Sequence, residues 1–347
     1  MNRSGNRRWN RAPWTLALLT TVCAELTFTA VAVPFTWLLV PLLMVMYGAG
    51  VLVLREATVR AGGTWPSLVL LGVAYQVAED GLGLQALTSP RMYGAADWGF
   101  RALGANWTYW ESQVGVHVVL SVLVPITLTD LLFPAQRDRP YLGNRGLAGA
   151  GSLAVLGVLG LRHLISATED PGYRTPWGFT LLFLALIATL GVVALVVLPR
   201  RGVTARVRGA RKTPHPTLVG VVSGYLTMAF LTTLLPLGLG PTMLLGDLMS
   251  PAQRLVVGLM TAVPFGWLVL RWQASPGWSD RHRIRLIGGI LVSHTAFMMP
   301  ASPTAALVGS VAIVTQVYLL ARLAEHLRRR RAAAADPRDE HPLSRPE

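Results

Sequence analysis

Cysteine occurs once in this chain, at Cys23, which excludes an intrachain disulfide and a thiolate metal cluster. Lysine is equally scarce. Lys212 is the only one among 31 basic residues, an arginine bias that fits a GC-rich bacterial genome. Charge as a whole is thin, at 14% of 347 residues, where a soluble domain carries about a quarter. There is no Walker sequence, no dinucleotide glycine motif and no HExxH, so the chain has no phosphate cradle or zinc-protease helix of that kind. What fills the space is apolar. Hydrophobic residues make up 52% of the chain and the mean hydropathy is +0.47, more apolar surface than a water-soluble fold can hide.

Crossing about 30 Å of hydrocarbon takes about 20 mostly apolar residues. Ten stretches fit, at 13–33, 35–54, 65–87, 113–133, 145–165, 177–198, 217–239, 254–270, 284–299 and 304–323. The expected fold is therefore an all-α polytopic transmembrane bundle of about ten helices. A basic N-terminus (1–12) precedes the helical domain (13–323), and a polar tail (324–347) expected to be disordered follows it.

The net charge of +14 would suggest a polyanionic partner if it formed one patch. It does not. The segments 1–12, 55–63, 135–145, 200–216, 271–285 and 322–347 hold 26 of the basic residues, and the alternate connections hold the other five, Arg91, Arg101, Arg162, Arg174 and Arg254. That alternation predicts a multi-pass plasma-membrane protein with both termini cytoplasmic, and it excludes nucleic acid as a partner. The N-terminus also resembles a secretory signal, with Ala30-Val31-Ala32 after an apolar run, but Glu25 and the length of the run favour a retained first helix.

The connection 88–112 is rich in aromatics (Tyr93, Trp98, Phe100, Trp107, Tyr109 and Trp110), as expected of an interfacial belt or of a lid over an outer cavity. It also carries the sequon Asn106-Trp107-Thr108. Segment 200–216 is basic and suits anionic lipid. Gly149, Gly157, Gly220 and Gly224 read as helix-contact glycines, and Pro34, Pro41, Pro125, Pro236 and Pro264 as sites of kinks or breaks. Pro66-Ser67-Leu68-Val69 and Tyr75 recur 150 residues later as Pro216-Thr217-Leu218-Val219 and Tyr225, a faint echo of an internal repeat.

Ionisable residues at membrane depth are costly and mark function or a structural pair. They are Glu25, Glu79, Asp80, His117, Asp130, Arg162, His163 and His294. At 1.5 Å per residue, Glu25 and Glu79 lie about 12 Å below the outer end, and His117 and His294 roughly 6–8 Å. Gly72, Gln76, Glu79 and Gly83 share one helical stripe, and His117 shares a face with Ser121. The expectation is a shared outward-facing polar chamber. Glu79, Asp80 and His117 would act there as proton relay or general acid and base, with Glu25, Gln76, Arg162, His163 and His294 in its wall. The plain alternative pairs Glu79 with Arg162 and gives each histidine a carbonyl. Arg55, Glu56 and Asp130, near the inner surface, read as structural.

Tyr47-Gly48-Ala49-Gly50, Arg55-Glu56, Trp65-Pro66-Ser67-Leu68 and Ala78-Glu79-Asp80-Gly81-Leu82 resemble an uncharacterised group of actinobacterial polytopic membrane proteins over residues 40–135, a likeness that implies no activity. Glu79-Asp80, His117 and His294 bear a fragmentary resemblance to the CPBP, or CAAX-protease-like, intramembrane proteases. That family uses paired acids and histidines to activate water. This sequence departs from its pattern, with Asp80 as the second acid, Leu84 at an arginine position and Gln113 at a phenylalanine position.

Three function classes follow. The leading one is a proton-linked carrier or permease for a small solute, without a cofactor. The second is an intramembrane hydrolase or lipid-modifying enzyme acting on a lipid-phase substrate, in which His117 and His294 could hold a divalent metal. The third is a scaffold, immunity or signalling protein whose polar residues only lock helices together.

Overall fold

The computed structural model describes residues 11–202, 212–240 and 243–334. Besides short helical turns, ten longer helical segments run in chain order among the described residues: α1 (Arg11–Thr21, continued as Val22–Leu26), α2 (Pro34–Arg60), α3 (Trp65–Gln76, continued as Val77–Gly83), α4 (Trp107–Leu132), α5 (Asn144–Glu169), α6 (Trp177–Arg200), α7 (Pro216–Leu234), α8 (Pro251–Gln273), α9 (Asp280–Ala301) and α10 (Pro303–Ala333). The architecture is the expected all-α polytopic bundle. The strands described are a two-stranded hairpin of β1 (Arg101–Ala102) and β2 (Ala105–Asn106).

Eight of these segments are long and apolar enough to cross a membrane; α1 and α3 differ from the rest. The chain of α1 breaks after Leu26, where Phe28 leaves helical geometry, and resumes as the short turn Thr29–Ala32. α3 is continuous, but Gln76, Glu79 and Asp80 in its second half reduce its hydropathy. At the other end of the chain α10 runs to Ala333, so the disorder expected from residue 324 does not begin there. Residues 335–347 lie outside the described residues, as does most of the basic segment 200–216.

Connections gather at two opposite ends. Arg60 donates to Asn144 Oδ1 at 2.8 Å, His282 Nε2 meets the Pro214 carbonyl at 3.1 Å, Thr213 bonds the Pro276 carbonyl and Arg331 pairs with Asp280. These contacts assemble the arginine-rich connections at one end. At the other, Asn106 and Asp170 bind the loop after α3, Arg254 bonds the Trp98 carbonyl and Gly238 packs on Ala301. Among the described residues, the arginine-bearing connections thus lie apart from the others.

Between the ends, α4 is the pillar. Its most apolar stretch is 67% buried, whereas those of α5, α6, α8 and α10 are 11% buried and present leucines, valines and tryptophans outward. Outward apolar side chains match a hydrocarbon solvent, in which helices associate by close packing rather than by hiding from water. The closest packing is between α7 and α9. A side chain at Gly289 would collide with the Gly220 carbonyl and the Ser223 hydroxyl, and one at Gly224 would crowd Ser293. Gly157 likewise seats Met46, whereas a side chain at Gly149 would start into open space. Pro125 and Pro264 sit inside continuous helices, while Pro34 and Pro236 lie at helix ends. The echo between α3 and α7 stops at sequence level: Tyr75 is buried and Tyr225 is 73% exposed.

Candidate functional site

Glu25, Tyr47, Glu79, Asp80 and His117 all lie in π-helical stretches, Val22–Leu26, Met44–Gly48, Val77–Gly83 and Val116–Leu123. A π-turn widens the helix by one residue and shifts its side chains around the axis, which is why such turns recur at functional sites. Here the widening lets two consecutive acids of α3 reach the same histidine of α4.

His117 stands between them. Its Nδ1 lies 3.6 Å from Glu79 Oε2 and its Nε2 lies 3.4 Å from Asp80 Oδ2. Ser121 Oγ is also within 3.5 Å of Nδ1, as their shared helical face predicts. Asp80 is further fixed by Gln76 Nε2, which donates to Oδ2 at 3.0 Å, and by Tyr109, whose hydroxyl donates to Oδ1 at 3.2 Å. Glu79 is held more loosely: its buried carboxylate faces the hydroxyls of Tyr47 and Tyr75 and the imidazole, with no amide or guanidinium donor. Glu79, Asp80 and His117 are 1%, 0% and 4% exposed. Both acid–imidazole separations are longer than a strong hydrogen bond, and two aromatic rings pack on the imidazole beside them. The Tyr47 ring stacks on His117 at 6.3 Å, and Tyr75 meets it edge-on at 6.0 Å. Tyr47 also donates to Glu25 Oε1 at 2.6 Å, joining the broken helix α1 to the same cluster.

The loop after α3 closes over this centre. Asn106 Nδ2 donates to the Ala86 carbonyl at 2.7 Å and to the Ser89 carbonyl at 2.6 Å. Ser89 donates to Asp170 Oδ2 at 2.5 Å, and Arg91 pairs with the other oxygen of Asp170 at 2.5 Å. Gln85 bonds both Ser166 Oγ and the Thr175 amide at 2.8 Å. Tyr93, in left-handed geometry with φ of 54°, stacks on Tyr109 at 6.0 Å and carries the cap down to Asp80. The loop is thus a pinned cap, and the sequon asparagine is one of its buried pins.

The sequence-derived site residues divide accordingly. Glu25, Gln76, Glu79, Asp80 and His117 come together. Arg162 does not pair with Glu79; its guanidinium donates to the Leu82 carbonyl at 3.0 Å, and His163, one residue on, points outward and exposed. His294 is fully buried in a separate nest, stacked on Phe28 at 4.1 Å with Thr27 Oγ1 3.4 Å from its Nδ1. Tyrosine rings and the cap pack around the acids. Those tyrosines are the members that sequence reasoning missed. Tyr75 was findable, since it lies four residues before Glu79 on α3. Tyr47 and Tyr109 converge only through tertiary packing.

Among the described residues no group of three or more His, Cys, Asp and Glu side chains is arranged to hold a metal. The arrangement suits proton transfer: two acids flank a base that can take a proton on either nitrogen.

At the arginine-rich end sits a second buried cluster, in Arg55 and Glu56. Arg55 Nη1 donates to Glu56 Oε1 and to the Arg139 carbonyl, and Nη2 to the Gln136 and Arg137 carbonyls, all at 2.8 Å. The guanidinium lies 3.4 Å over the Tyr141 ring. Glu56 accepts from the Tyr141 amide at 2.7 Å and from the Leu142 amide at 3.1 Å. Burial pushes the Tyr141 phenol up to about 12, so it stays neutral beside the guanidinium.

Residues 15–338 match the sequence model of an uncharacterized membrane protein family. Neither a curated protein nor a solved structure matches the chain.

Proposed function

We propose, from the premise that the chain belongs to that uncharacterized membrane protein family, that Glu79, His117 and Asp80 form a proton-exchange site in a proton-linked carrier for a small solute. One observation carries the reading: a buried imidazole has a buried carboxylate at each ring nitrogen. A structural lock would pair such acids with a guanidinium or backbone amides, which keep one charge state. Two acids on a group that can itself take or release a proton are poised to exchange one.

In this reading a proton on Glu79 passes to His117 Nδ1 while Nε2 yields one to Asp80. Gln76 and Tyr109 hold Asp80 still, and Glu25 with Tyr47 extends the path toward the break in α1. Motion of the Tyr93–Tyr109 stack would open the centre to the capped end. The hydrolase reading is weaker, because His294, which it would place beside His117, contacts Thr27 and Phe28 instead.

Infrared difference spectra of the reconstituted protein between about pH 5 and pH 9 should show a carboxylic-acid band in the wild type that is lost in Glu79→Gln. An unchanged band would remove the proposal, whatever the solute. The accompanying proposal for location is a plasma-membrane protein with cytoplasmic termini and the capped end outside. Reporters fused after Gly62 and Pro140 should read inside, and after Thr88 and Pro171 outside; a reversed pattern would invert it.

A further inference from the structure

A crevice of about 730 Å³ separates α3 and α4 from α7, α8 and α9, a volume within the usual range of small-molecule sites, ~300–1,000 Å³. Glu79, Asp80 and His117 are not in its wall. Along α4 its lining runs from Gly115 to Leu131, roughly 24 Å of helix, which exceeds the ~15 Å depth of one leaflet's hydrocarbon. The wall over this length is apolar, with Val119 and Leu123 facing Phe230, Phe265 and Val269.

Charge appears at one end only, the arginine-rich end, in Asp130, Arg137, Asp138 and Arg283, with the saturated Arg55 beside them. Arg137 Nε is 3.7 Å from Asp130 Oδ2, while Asp130 Oδ1 is buried without a hydrogen-bond partner. Asp138 and Arg283 both lie within electrostatic reach of Asp130. A long apolar slot ending in two cations and two anions at the membrane boundary complements a chain with a zwitterionic head.

We propose that this crevice binds one phospholipid with an ethanolamine headgroup, its acyl chain along α4, its phosphate at Arg137 and Arg283, and its ammonium donating to Asp130. The headgroup choice follows from Asp130. A quaternary choline has no N–H to give the orphan oxygen, and an anionic head without an ammonium would meet Asp130 and Asp138 with like charge. The site is independent of the proton-exchange reading, since it shares no side chain with that centre.

Gly266 supplies the test. It lines the crevice on α8, and a Cβ added there would meet no atom within 4 Å, so a side chain can start into the crevice from an unstrained backbone. The purified full-length chain in mild detergent would be melted with increasing dioleoyl phosphatidylethanolamine, phosphatidylcholine or phosphatidylglycerol. The ethanolamine lipid should raise the melting temperature at a half-saturating concentration at least tenfold lower than the other two. Gly266→Trp should melt like wild type without lipid and lose the ethanolamine response. Asp130→Asn should keep a response to lipid but lose the preference over choline. Equal responses to all three lipids in wild type, or an undiminished ethanolamine response in Gly266→Trp, would overturn the proposal.

Discussion

Two buried charge clusters occupy opposite ends of this bundle, and the same physics finished them differently. At the arginine-rich end, Arg55 and Glu56 are 2% and 0% exposed, and their charged atoms are taken up by each other, three carbonyls and two amides. At the capped end, Glu79 is 1% exposed and faces tyrosine hydroxyls and an imidazole 3.6 Å away. Burial alone therefore does not separate a lock from a reactive centre. The kind of partner does, because a guanidinium and backbone amides keep one charge state whereas an imidazole can take or release a proton.

The largest test of that contrast is Arg55→Met. It takes the closest cation from buried Glu56, leaving two amides and Arg60 at 3.8 Å, and removes the donor from three carbonyls of the loop joining α4 to α5, so stability should fall by about 3–5 kcal/mol, read as a lower melting temperature in detergent. A variant that melts like wild type would show that the clamp is not a lock. Asn106→Ala comes next. Two cap carbonyls lose their donor, at a cost of about 1–3 kcal/mol, and protease cleavage within residues 84–106 should become faster than in wild type.

Smaller effects sharpen the other side. Tyr109→Phe removes one donor from Asp80, and about 1 kcal/mol of stability should go with it. Glu79→Gln should cost less than about 1 kcal/mol, since the amide keeps an oxygen to accept from the tyrosine hydroxyls, while abolishing the carboxylic-acid infrared band. If Glu79→Gln destabilised the protein as much as Arg55→Met does, the two clusters would be alike and the proton-exchange reading would go with the distinction.

Much of this arrangement was visible in the chain itself. Glu79, Asp80 and His117 stood out because charge is so rare in the apolar segments, and Gln76 because it shares a stripe with Glu79. Arg55-Glu56 was recognised as structural from its position near a helix end. Arg162 and His163 misled because depth along a helix says nothing about which way a side chain faces: one turned to a carbonyl and the other outward. His294 misled for a related reason, since depths that overlap along the membrane normal leave the lateral position free. The break in α1 lay hidden in a run that, Glu25 apart, is apolar and threonine residues and carries no proline or glycine between Thr20 and Val33.

By itself, then, the sequence determined the solvent, the fold class and the sorting of the connections into two sets. Those follow from hydropathy summed over about 20 residues and from charge counted between segments, which are local quantities. Tertiary structure alone decided which charges meet. The π-helical turns rotate Glu79 and Asp80 toward one histidine, the tyrosines of α2, α3 and α4 close around it, and the loop carbonyls of residues 136–139 converge on Arg55. Each of these is a pairing between groups distant along the chain, fixed by how helices pack laterally, a degree of freedom that hydropathy and spacing leave open.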